Sequence, residues 1–178
     1  CGCTYRERID TAETLYRMPE HANLPQFDPF KDWRIKSLQV SWNIAELERA
    51  YRSDAPLDPE QVRRTVEMTL ASCLDLADWL ISGPEPHAVT AGEIERLLRA
   101  DPLRVCVALH AHAAPDDSIG SVRLVPVAFA PTPRYWVHYT RPGAKPVRYD
   151  ALDLAERCRA AWRDFLAGYG VVLPSWDS

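Results

Sequence analysis

Apolar positions along this chain recur at helical spacing over most of its length and alternate strictly in one stretch. Tyr5, Ile9, Ala12, Leu15 and Tyr16 share a face of a helix predicted over Thr4 to Met18, which Pro19 ends. A proline-containing loop to Pro29 follows. From Phe30 to Arg52, Trp33, Leu38, Trp42, Ala45 and Tyr51 mark a long helix with two tryptophans facing its neighbours. Asp58-Pro59 is a helix start, because aspartate caps free N–H groups and proline is tolerated in the first turn. Val62, Val66, Leu70, Cys73, Leu74, Ala77 and Leu80 then form the clearest amphipathic face of the chain, ending near Gly83-Pro84. Thr90-Ala-Gly-Glu93 has the spacing of a capping box and opens a short helix through Leu97 and Leu98.

Asp101-Pro102 repeats the cap-then-proline signal before Leu103 to Ala113. There Leu103, Val105, Val107, Leu109 and Ala111 also alternate with Arg104, Cys106, Ala108, His110 and His112, so a strand competes with the helix that the cap favours. Beyond Asp117 the composition turns β-branched and aromatic. Val122 to Phe129, Tyr135 to Thr140 and Val147 to Tyr149, separated by Pro131-Thr-Pro133 and Pro142-Gly143, predict a three-stranded meander. Asp150 caps a last helix with Leu154, Cys158, Ala161, Trp162 and Phe165 on one face and Gly168 or Gly170 at its end. The expected fold class is therefore α+β, a bundle of about five helices with a three-stranded antiparallel β-meander before a C-terminal helix. One domain spans 1–178, divided into a helical part (1–113), the meander (118–149) and the C-terminal helix (150–170).

Composition narrows the function classes more than it selects one. Apolar residues are 47% of the chain and charged residues 26%, which is ordinary for a globular domain. No apolar run approaches a membrane span. A net charge of −4 offers no overall attraction to polyanions, although it leaves room for a local basic patch. Arginine outnumbers lysine eighteen to three, which suggests a bacterial source with a GC-rich genome. Five cysteines without CxxC spacing, three of them inside apolar helical patterns, point to a reducing compartment. A chain starting Cys1-Gly-Cys3 also fits a lipidated mature lipoprotein. The polar helical run that follows at once favours the cytoplasm.

Three constellations carry candidate chemistry. Cys106, His110, His112 and His138 are metal-ligand types, with Cys106 and His110 one helical turn apart, but they lack the two tight pairs of a structural zinc site. Packed or half-buried histidines are the simpler reading. Arg134, Trp136 and His138 alternate with Tyr135, Val137 and Tyr139, so one strand face presents rings, with Arg141 and Arg148 nearby. Such a surface can stack single-stranded bases, although packing of a small sheet on helices is the commoner role. Arg104 and His110, five residues intervening, match the R-x4-6-H pattern of the HEPN ribonucleases. In that family the pair supplies proton transfer and phosphate stabilisation without a metal, across a helical dimer. The pairs Asp75 with Asp78 and Asp116 with Asp117 read as solvated carboxylates. No G-x-S-x-G or activated cysteine context is present, and no pattern asks for a cofactor.

Thr69 to Leu80 with its Asp78-Trp79-Leu80 end, Leu98-Arg-Ala-Asp-Pro-Leu-Arg-Val-Cys106, Tyr149-Asp-Ala-Leu-Asp-Leu-Ala155 and Trp162-Arg-Asp-Phe-Leu166 resemble a group of uncharacterised bacterial helical proteins. The resemblance covers about half the chain and implies a fold, since the group has no established activity. Where that group carries Ala-Asn-x-x-Lys-His, this chain has His110-Ala-His-Ala-Ala-Pro115, so the group's lysine and histidine have no counterpart. The function expected is that of a non-catalytic intracellular accessory protein binding another macromolecule. A protein or a second copy is the favoured partner, nucleic acid a less favoured one, and no membrane is involved. The alternative is a HEPN-like ribonuclease using Arg104 and His110.

Overall fold

The computed structural model describes residues 32–55, 57–83, 89–111, 120–128 and 132–173. The helix expected over Thr4 to Met18, together with Cys1, Cys3 and His112, lies outside them. In chain order the described elements are α1 (Trp33–Arg52), α2 (Pro59–Ser82), α3 (Ala91–Leu98), α4 (Leu103–His110), β1 (Ser121–Pro126), β2 (Tyr135–Thr140), β3 (Val147–Asp150) and α5 (Ala151–Ala167). The fold is α+β, five helices with a three-stranded antiparallel sheet placed before the last of them.

Short polar side chains set the helix starts. Asp32 accepts from the Arg34 N–H at 2.9 Å, Asp58 from that of Glu60 at 3.1 Å, and Asp150 from those of Leu152 and Asp153 at 2.9 and 3.3 Å. Thr90 and Glu93 form the reciprocal capping box read from their spacing. The short link between α1 and α2 makes them an antiparallel pair. Lys36, early in α1, accordingly meets Asp75, late in α2, at 2.8 Å. Val40, Ile44 and Leu47 of α1, Val62, Val66, Leu70 and Leu76 of α2, and Leu154, Trp162 and Leu166 of α5 are each at most 2% exposed. Each such side chain contributes roughly 1.5–3 kcal/mol on burial. The Trp162 indole N–H donates to the Cys73 carbonyl at 2.8 Å and fixes α5 on α2.

The contested segment is a helix. Leu103, Val105, Cys106, Val107 and Ala108 are all buried, so both halves of the alternating pattern face protein. A helix wedged between α2, α3 and β1 is apolar nearly all round, and its composition then mimics alternation. The expected cap is corrected: Pro102, not Asp101, occupies the N-cap position, and no side chain caps this helix. The first strand is also shorter than expected, ending at Pro126, while Phe129 falls outside the described residues.

The sheet has the order β1-β2-β3. Three hydrogen bonds pin it to the α1–α2 junction. The Tyr135 N–H donates to the Tyr51 hydroxyl at 3.1 Å, the Tyr135 hydroxyl to the Pro59 carbonyl at 2.8 Å, and the Thr132 hydroxyl to the Tyr51 carbonyl at 3.0 Å. Gly120 leads into β1 at φ +98°, where a Cβ would lie 2.5 Å from the Thr140 carbonyl oxygen. Only glycine fits that approach.

Candidate functional site

Side chains alternate across a strand, so β2 divides the sheet into two unlike faces. Tyr135, Val137 and Tyr139 are buried against the helices, whereas Trp136 and His138 are half-buried and Thr140 is exposed. Directly paired residues share a face. The register sets Arg123 opposite His138 and His138 opposite Arg148, a row of three basic side chains across all three strands on the outward face. The next row is Val125, Trp136 and Asp150. The Arg148 guanidinium lies over the Trp136 ring, 4.5 Å from its centroid.

Charge is sorted in the same way. Residues 118–149 contain five cations (Arg123, Arg134, Arg141, Lys145, Arg148) and no carboxylate, so in a chain of net charge −4 the remainder carries −9. On the helices, arginines pair with carboxylates of their own helix: Arg52 with Glu48, Arg63 with Glu60 and Glu67, Arg99 with Glu95, Arg157 with Asp153, Arg159 with Glu156. Among the described residues none of the five sheet cations forms an ion pair. The acid on the outward face, Asp150, spends its carboxylate on two N–H groups of α5.

The three residues singled out on and just before β2, Arg134, Trp136 and His138, part company. Trp136 and His138 are on the outward face, but the guanidinium of Arg134 sits over the Tyr51 ring at 4.9 Å, where the sheet joins α1. Its place in the basic row is taken by Arg123 and Arg148. Arg148 had a sequence signal in its nearness to the aromatic strand. Arg123 had none within its own strand; what reveals it is the pairing register and the lack of acids from 118 to 149.

The metal-ligand constellation does not assemble among the described residues. Cys106 is fully buried, His110 is exposed with Nδ1 3.3 Å from the Cys106 carbonyl oxygen, and His138 is on the sheet's outward face. No three potential ligands converge there. Arg104 and His110, six positions apart on α4, project about a third of a turn from one another. Cys106 instead belongs to a group of thiols in the core: its Sγ is 3.4 Å from that of Cys158, and Cys73 is the third member. Hydrogen bonding to Cys106 and Cys73, with burial, pushes the Cys158 thiol well above its ordinary range. Such thiols pack as small apolar groups and are poor nucleophiles.

A second surface feature is a groove of about 670 Å³ between α1, α5 and the segment after α5, lined by Val40, Trp42, Ala45, Trp162 and Val172. Trp42 is 51% exposed there, although Trp33, on the same helix, is buried. No helix among the described residues is long and apolar enough to cross a membrane. Comparison of the chain with family models, with curated proteins and with solved structures found no match.

Proposed function

We propose that the protein is a non-catalytic nucleic-acid-binding module whose outward sheet face is the interface. The observation that carries this reading is the sorting of charge. Among the described residues the five cations of 118–149 form no ion pair, and two of them, Arg123 and Arg148, flank His138 on the outward face of the sheet in an otherwise acidic chain. Arginines without a carboxylate partner leave their charge uncompensated, and phosphates along the same face would compensate it while releasing their own counterions. Arginine suits the role because its planar fork meets phosphate oxygens two at a time. The reading is one of binding because the face offers arginines and an aromatic ring, groups that hold phosphate and bases.

The test is anisotropy of a labelled oligonucleotide against salt. With Arg123 and Arg148 on phosphates, log K should fall with log salt at a slope of about −1.4 for a single strand. Reversing Arg123 and Arg148 to Glu should weaken binding by on the order of tenfold or more. Binding to heparin or to anionic vesicles with none to oligonucleotides would assign the face to another polyanion and overturn the reading.

Trp42 supports a second reading, self-association through the α1/α5 groove. Glu48, Glu156, Arg159 and Arg163 line the groove with balanced charge, which suits a second copy of the same surface in an isologous dimer. Sedimentation should then show a dimer that Trp42→Glu dissociates. A monomer at every concentration sinks this reading.

A further inference from the structure

We infer that the sheet face selects single-stranded over duplex nucleic acid, with Trp136 as a stacking platform that Arg148 covers in the free protein. The inference rests on the nucleic-acid reading above and names the form of the ligand. Trp136 is in the central strand, so on the outward face it is flanked by β1 and β3. It is half-buried, and its exposed π-surface is occupied by the guanidinium of Arg148, 4.5 Å from the ring centroid. Arg148 belongs to the edge strand β3 and is exposed, so its long side chain can swing aside without disturbing the fold.

An incoming base can take the position the guanidinium leaves. Stacking of a base on an aromatic ring is worth more than an exposed cation–π contact, so the exchange favours the base. The freed guanidinium then reaches a phosphate beside it, in line with His138 and Arg123. Adjacent strands are about 4.8 Å apart, so this row spans about 10 Å, enough to follow a backbone past the stacked base. A duplex offers no such exchange, because its π-faces are occupied by neighbouring base pairs. The side chains around the ring also fit: Val125 lies beside it in the same row, and Asp150, the acid there, is turned to the N-terminus of α5.

Binding of the full chain to a single-stranded oligonucleotide and to a duplex of equal length, with tryptophan fluorescence recorded alongside, tests this. We expect at least tenfold preference for the single strand. Trp136→Ala should lower single-strand affinity roughly five- to hundredfold with the salt slope unchanged, since no phosphate contact is lost. Trp136→Phe should retain most of the affinity yet abolish the base-induced quenching, which a merely structural role would not predict. Arg148→Ala should instead lower the salt slope by about one contact. Equal affinity for duplex, or a Trp136→Ala effect within twofold in a protein of unchanged circular dichroism, overturns the inference and leaves the interface reading standing. Loss of binding to both forms of nucleic acid overturns both.

Discussion

Tyr51 and Gly120 each hold the sheet in place by one atom's worth of geometry. The Tyr51 hydroxyl accepts the buried Tyr135 N–H, and burial pushes its ionisation up to about 12. The folded state thus keeps the neutral phenol where the unfolded chain, titrating near the ordinary value of 10, gives up its proton. That contribution to stability is intact below pH 10 and is lost as pH rises through about 12. Tyr51→Phe should cost about 1–3 kcal/mol at neutral pH, by leaving the N–H unpaired, and should flatten part of the alkaline unfolding curve. Tyr135 and Tyr149, raised by burial, and Tyr169, raised by its hydrogen bond to Glu93, would contribute to the same curve. Gly120→Ala should cost about 2 kcal/mol in urea unfolding, since the Cβ meets the Thr140 carbonyl and the backbone has positive φ. Neither role is legible in the sequence. Tyr51 reads there only as one more apolar position of a helix, and its partner is 84 residues away.

At the scale of elements the sequence is more informative, because caps and alternation are local. Asp58-Pro59, Thr90 with Glu93, and Asp150 stand where their spacing places them, and β2 has the two faces its alternation implies. Asp101-Pro102 misleads because the same dipeptide can precede a helix without capping it. The basic row escapes a reading of single strands, since register across loops decides which residues become neighbours. Asp150 joins the two levels. Asp150→Ala should lower stability by about 1 kcal/mol through loss of the α5 cap. It also removes the carboxylate from the outward face, so oligonucleotide affinity should rise while melting temperature falls. Opposite movement of the two measurements would separate capping from binding; parallel loss would place Asp150 in the interface itself.

At the scale of the molecule, most of the described helix arginines have a carboxylate partner on their own helix, and the cations of 118–149 form no ion pair among the described residues. Among the described residues this division sorts charge, with uncompensated positive charge on the small sheet. On the proposed function, an approaching polyanion would be repelled by the average charge and attracted by the sheet, so that encounters that succeed would arrive already oriented. Lowering salt from about 200 to about 50 mM should therefore speed association with an oligonucleotide roughly tenfold, as the field of the sheet outlasts the repulsion of the remainder. A protein governed by its net charge would associate more slowly under the same change. The sign of that one rate response would show that docking begins before contact, with the molecule turned by its own field to present the proposed binding face first.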